Sequence, residues 1–250
     1  MMTIKNYVRA QSLEEAYTLN QSKRNKILGG MVWLKMTSLN INTAIDLCDL
    51  GLDTIEETEE AFSIGCMVSL RQLEQHEGLD AYSCGAVKKA VQDIVGVQFR
   101  NCATIGGSVF GRFGFSDVLT VLLSMDCYVE LYKGGMIPLE EFASMKKDND
   151  ILVRIIIKKT PAKFTYEAMR AQKTDFPVLT VAASTLGKLA VGARPMRATV
   201  LPFAEVDAAM IAEKAAETIK TAGNLRGSKD YRTHLVKVLT RRALEGLYGN

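Results

Sequence analysis

Two glycine pairs are the residues in this chain best placed to do chemistry. The first lies in Ile27-Leu28-Gly29-Gly30-Met31-Val32-Trp33, the second in Ala103-Thr104-Ile105-Gly106-Gly107-Ser108. Each follows a short apolar run, and each lacks the Cβ atoms that would hold a ligand away from the main chain. Successive N–H groups in such turns form an anion nest suited to a diphosphate. The second loop adds the hydroxyls of Thr104 and Ser108. A Gly-Gly pair on its own is more often an ordinary turn. Neither loop has the G-x-G-x-x-G spacing of a Rossmann site or the lysine of a P-loop, so neither of those nucleotide sites is indicated.

Other reactive residues are sparse. His76 and His234 are the only histidines, stand alone in the sequence and read as surface residues. A Ser–His–Asp or metal mechanism therefore has almost nothing to rest on. The five cysteines, Cys48, Cys66, Cys84, Cys102 and Cys127, are too widely separated for a zinc site, an iron–sulfur cluster or a disulfide framework. Each reads as a small buried hydrophobe. A protein of this kind moves electrons, if at all, without a cluster of its own. The 250 residues are 48% hydrophobic and 24% charged, with a net charge of +3 spread along the chain. That balance argues against nucleic acid or a membrane surface as partner. No apolar run approaches the ~20 residues a bilayer requires. The N-terminus is polar by Lys5 and lacks the apolar core of a secretion signal, so a cytoplasmic location is expected.

The elements that must position the glycine loops follow from local pattern. Ser12 to Asn20 reads as a helix, with Ser12 as N-cap and Glu15 as its capping-box partner. Lys26 to Leu28 forms a short strand into the first loop, and further short strands are expected at 45–47 and 62–64. Helices are expected over 69–77 and 84–95, then an apolar segment from Val118 to Met125. Strands follow at 128–132 and 151–157, with Gly134-Gly135 marking the turn after the first. Beyond Thr160-Pro161 come strands at 164–169 and 178–183, a helix from Glu205 to Ala222 and a basic helix from Tyr231 to Leu247. The pattern is that of an α+β chain with a boundary near residue 160.

The segment from Gln98 to Val129 resembles the FAD-binding subunit of the molybdenum hydroxylases, a family that includes the flavin subunits of xanthine, nicotinate and carbon monoxide dehydrogenases. Its pattern is met by Arg100-Asn101, by Ala103 to Ser108, by Asp117, by the apolar stretch Val118 to Met125 and by Asp126 to Val129. Matching blocks occur at Leu13–Tyr17, Leu28-Gly29-Gly30, Ile64–Ser69, Ile137–Phe142, Asp150–Leu152 and Leu225–Arg232. The resemblance implies a two-part FAD-binding domain of the vanillyl-alcohol oxidase type over 1–160, with subdomains about 1–57 and 58–160. A smaller α+β domain over 161–250 would follow.

By the same resemblance, Ile27, Leu28, Gly29, Gly30, Met31, Val32 and Trp33, with Thr104, Ile105, Gly106, Gly107 and Ser108, wrap the FAD diphosphate. Asp117 accepts a ribose or ribityl hydroxyl, and Ile151 or Leu152 lines the flavin or adenine pocket. Met31 and Val32 stand where the family has a Thr or Ser and a small polar or acidic residue, which leaves the contacts there to main-chain N–H groups. The family's basic residue near the flavin falls at Glu167, with Lys173 as a substitute, and the hairpin between Ala183 and Arg194 is shorter than usual. The function implied is that of an FAD-carrying oxidoreductase subunit in a xanthine dehydrogenase-like complex, inactive as a hydroxylase alone. Electrons would arrive from [2Fe–2S] centres on a small partner subunit and leave to NAD or another acceptor, while molybdopterin sits on a large partner subunit. The alternative is a flavin-less scaffold subunit that keeps the fold. A free-standing flavin oxidase would need a longer chain.

Overall fold

The computed structural model describes residues 1–204 and 207–249, and its strands form three sheets. The first sheet has the order β1-β3-β2, with β1 (Thr3–Arg9), β2 (Lys26–Leu28) and β3 (Asn40–Asp46) all parallel. Its crossover helix α1 (Leu13–Asn20) is capped by Ser12, whose Oγ accepts from the Glu15 N–H at 3.1 Å. The Glu15 carboxylate reaches one residue further back than expected and accepts from the Gln11 N–H.

The second sheet is antiparallel, in the order β4-β5-β8-β6-β7: β4 (Ile55–Glu57), β5 (Ala61–Gly65), β6 (Cys127–Leu131), β7 (Gly135–Pro138) and β8 (Leu152–Lys158). Between β5 and β6 runs a series of short helices: α2 (Leu70–Gln75), α3 (Glu77–Tyr82), α4 (Ala86–Val91), α5 (Val97–Cys102), α6 (Ile105–Phe110) and α7 (Asp117–Leu123). The helix expected over 69–77 breaks at His76, whose Nδ1 accepts the Leu79 N–H and starts α3. The helix expected over 84–95 shrinks to α4, because Cys84, Gly85 and Val95 all have positive φ. One further short helix, α8 (Leu139–Ser144), precedes β8.

The third sheet is an antiparallel meander of β9 (Phe164–Arg170), β10 (Pro177–Ser184), β11 (Lys188–Gly192) and β12 (Thr199–Pro202). All eight residues of β10 are buried because the sheet is covered on both faces. Phe164, Tyr166, Ala182 and Ala190 join the main core, whereas Val181, Ala183, Leu189 and Val191 pack under α9 (Ala208–Thr218) and α10 (Lys229–Tyr248). The fit to α7 is tight, since a Cβ on Gly192 would lie 2.1 Å from Thr120 Oγ1. Glu205 and Val206, where the sequence places the start of a helix, lie outside the described residues. Only Cys66 and Cys127 are buried; Cys48, Cys84 and Cys102 are exposed, contrary to expectation. No helix among the described residues is long and apolar enough to cross a membrane.

Candidate functional site

The two glycine loops meet. A Cβ built on Gly29 would lie 2.7 Å from Thr104 Oγ1 and 3.9 Å from the Gly107 Cα. Between the loops, the start of α7, the 147–152 segment and the β9–β10 loop opens a cavity of about 950 Å³. That is at the upper end of the ~300–1,000 Å³ of ordinary ligand sites. Ile27 to Trp33, Thr104, Gly106 to Ser108, Asp117, Ile151 and Leu152 all line it.

Among the described residues, the main-chain N–H groups of Gly30, Met31, Val32 and Trp33 donate to no protein acceptor. Four consecutive free donors on a cavity wall are what an anionic ligand needs. Met31 adopts φ 58°, the left-handed region that usually selects glycine, and so keeps the loop turned although its side chain is large. In the second loop Thr104 caps α6, its Oγ1 accepting from the Gly107 N–H at 3.1 Å.

The glycines do different work from that expected. A Cβ on Gly30 would fall 1.6 Å from the Cys102 carbonyl oxygen, and one on Gly106 would fall 2.5 Å from that of Cys66. These two, with Gly29, are required by the packing of the loops on each other and on the sheet. Gly107 alone opens onto the cavity, with nothing but Thr104 Oγ1, at 3.2 Å, near its missing Cβ.

Two expected residues are not brought to the cavity. Ile105 turns its side chain into the core and spends its N–H on the Val68 carbonyl. Lys173 lies in the β9–β10 loop, with its side chain 81% exposed and paired to Asp93. Glu167 pairs with Lys89 instead. The cations that do line the cavity are Lys26, Lys147 and Arg170; of these Arg170, on β9, is the one paired to Asp117, and the sequence reading missed it. It follows Tyr166 and Ala168 on the same face of β9, as the two-residue strand period requires.

Asp117 holds this edge of the site. It is the first residue of α7 and not its cap, which is Ser116. Its Oδ1 accepts from the Tyr166 hydroxyl and, at 2.6 Å, from Arg170 Nη2. Burial raises the Asp117 carboxyl to about 6, against the lowering effect of Arg170 and Tyr166. Burial and the neighbouring carboxylate push the Tyr166 phenol well above its ordinary value, so it remains a donor. Arg170 Nη1 donates in turn to the Asp175 carbonyl at 2.7 Å, tying the β9–β10 loop to the cavity.

The model of a family described as the FAD binding domain in molybdopterin dehydrogenase matches residues 2–159. The chain belongs to that family. It is 24% identical over 247 residues to the uncharacterized protein YgfM of Escherichia coli (strain K12), covering 94% of this chain and 93% of that one. It is 22% identical to the glyceraldehyde dehydrogenase medium chain of Sulfolobus acidocaldarius, with 96% of each covered. Among solved structures, a carbon monoxide dehydrogenase chain from Hydrogenophaga pseudoflava superposes with a TM-score of 0.86 at 20% identity, over 99% of this chain and 98% of that one. A quinoline 2-oxidoreductase chain from Pseudomonas putida 86 gives 0.83 at 18%, over 98% and 96%.

The geometry fits the cofactor of this family of flavoprotein subunits. A cavity at the top of the usual size range, four unpartnered N–H donors and an open Gly107 suit an elongated dinucleotide with a diphosphate at its centre. No cluster of metal-ligating side chains occurs among the described residues.

Proposed function

We propose that this chain holds FAD in the cavity and serves as the electron-transfer subunit of a multi-subunit, xanthine dehydrogenase-like molybdenum hydroxylase of the cytoplasm. The observation that carries the reading is the row of unpartnered N–H groups at 30–33, set against the open Gly107 where the two loops meet. The diphosphate lies against these groups. Residues 1–160 form the cofactor-binding domain, in subdomains of about 1–57 and 58–160. Residues 161–250 form a smaller domain that supplies Arg170 and the β9–β10 loop to its open side.

Bound FAD supplies the ability to exchange electrons singly or in pairs, so it can link a one-electron carrier to a two-electron acceptor. The protein's own part is to bind, orient and shield. Leu28, Ile151 and Leu152 give apolar walls, and the Asp117–Arg170 pair fixes a buried positive group at the cavity edge. The [2Fe–2S] centres and the molybdopterin belong to a small and a large partner subunit, and NAD is a candidate acceptor. Reconstitution tests this. With both partner subunits present, the substrate of the complex should bleach the flavin absorbance of this chain. With the chain alone it should not, and bleaching there would refute the subunit role.

A further inference from the structure

A diphosphate is doubly charged, and the first glycine loop meets it with main-chain donors alone. Gly30, Met31, Val32 and Trp33 carry no hydroxyl and no ammonium group. Among the described residues, the cations that line the cavity are Lys26, Lys147 and Arg170. Two of them are engaged. Arg170 is paired to Asp117, and Lys26 Nζ donates to the Lys23 carbonyl at 3.3 Å. Lys147 has no carboxylate partner among the described residues. Its ammonium sits 5.1 Å above the ring of Phe113.

That ring places Lys147 beside the first loop. Phe113 stacks on Phe115, which meets Phe176 edge-on, and Trp33 lies 5.4 Å from Phe113. Trp33 ends the row of free N–H groups. Two arginines stand near Lys147, both fixed on the end of α8. Arg112 Nε donates to the Phe142 carbonyl at 2.8 Å, and its guanidinium lies 3.8 Å over the Phe142 ring. Arg197 Nη1 donates to the carbonyls of Ser144 and Met145, at 2.7 and 2.9 Å. The buried Nη2 of Arg112 has no hydrogen-bond partner. Asp148 is the acid in range of Arg112, and its carboxylate accepts the Asp150 N–H. Three positive charges therefore gather with one negative charge against them. Burial and the charges of Arg112 and Arg197 hold the Lys147 ammonium below its ordinary value. A cluster so arranged lacks an anion.

We propose that Lys147 binds the diphosphate of FAD, with Arg112 and Arg197 keeping its surroundings positive. This rests on the FAD reading above and names the side chain that neutralises the charge of the cofactor. A lysine suits the task because its ammonium is a point charge on a flexible stem. It can swing from Phe113 to a phosphate oxygen held on the N–H groups at 30–33. The gain is electrostatic, so it is largest at low ionic strength. The empty chain, in contrast, holds three mutually repelling cations. A second dinucleotide, such as NAD, offers the same diphosphate chemistry, and the test separates the two sources.

The wild-type chain is compared with Lys147→Met, which removes the charge, and Lys147→Arg, which keeps it. FAD, ADP and riboflavin are titrated into each empty chain at low and high salt, and NADH into each chain loaded with FAD. Lys147→Met should weaken FAD and ADP alike, by about 10-fold at low salt, the range of one hydrogen bond to a charged group. Riboflavin lacks the diphosphate and should bind all three chains equally. High salt should shrink the deficit, and Lys147→Arg should restore most of the affinity. The empty Lys147→Met chain should resist urea at least as well as wild type, because it loses a repulsion and no ion pair. Unchanged FAD and ADP affinity in Lys147→Met overturns the assignment. An equal loss of riboflavin, or a deficit that high salt leaves intact, overturns it in favour of a structural role. Weaker NADH binding with unchanged FAD affinity overturns it in favour of a second dinucleotide. Failure of the folded wild type to retain any FAD overturns the cofactor reading and this inference together.

Discussion

Replacing Gly107 by valine tests whether the cofactor lies where the two loops meet. At Gly107 a Cβ would touch only Thr104 Oγ1, at 3.2 Å, which asks the cap to yield by a few tenths of an ångström. Valine is a better helix former than glycine by roughly 0.3–0.5 kcal/mol. A fully lost cap would cost about 1 kcal/mol. Gly107→Val should therefore change stability by less than about 1 kcal/mol, a few degrees in Tm for a chain of this size. Its isopropyl group, however, fills the place where a diphosphate meets the free N–H groups. Losing two hydrogen bonds to a charged group, at ~1.5–3 kcal/mol each, should weaken FAD by a hundredfold or more. The contrast is Gly106→Val, whose Cβ would fall 2.5 Å from the Cys66 carbonyl oxygen and should destabilise the fold itself. Urea unfolding and flavin retention on ultrafiltration are measured on both variants. A folded Gly107→Val chain that keeps one FAD at wild-type affinity refutes the placement of the diphosphate. An unfolded one refutes the claim that this position faces open space.

Asp117→Ala strands Arg170 and Tyr166 in a buried setting and should cost about 3–5 kcal/mol, read from urea midpoints; a loss below 1 kcal/mol would mean that the pair does not hold the site. Thr104→Ala removes the α6 cap and should cost about 1 kcal/mol in the same assay. The Glu74 carboxylate is pushed up by burial, but Arg100 and Arg71 outweigh this and hold it below its ordinary value. Its stabilising contribution is therefore present above about pH 4.5 and lost as pH falls through the lower folded value. Glu74→Gln should flatten that acid limb of the stability–pH curve. The isolated chain should oxidise no heterocycle and, if its acceptor is NAD, should pass electrons from NADH to a dye, both assays being followed by absorbance.

The parts legible in the sequence are those whose signal is local. Ser12 announces α1, and the glycine loops stand in contiguous motifs that need no tertiary information. Strand β1 went unseen because it is held by main-chain pairing to β3 with almost no burial, so Ile4 and Tyr7 remain exposed and leave no periodic trace. Arg232 reads as part of a basic helix surface, yet it is 1% exposed and donates to the carbonyls of Val178, Ala222 and Gly227. Its role depends on a loop that folds back only in three dimensions. The same holds at the site, where the cation paired to Asp117 from β9 is Arg170, and Lys173 does not reach the cavity. The phase of β9 decides between them, and Lys173 falls beyond the strand's end at Arg170. Phe113, Phe115 and Phe176 come together from two distant loops, a juxtaposition that no spacing in the chain records.

Titration of the purified chain with FAD, followed by ultrafiltration and visible absorbance, tests the central claim most directly. One FAD retained per chain, displaced by ADP and lost in Gly107→Val, is the expected result. FAD recovered quantitatively in the filtrate from a wild-type chain shown to be folded would contradict it.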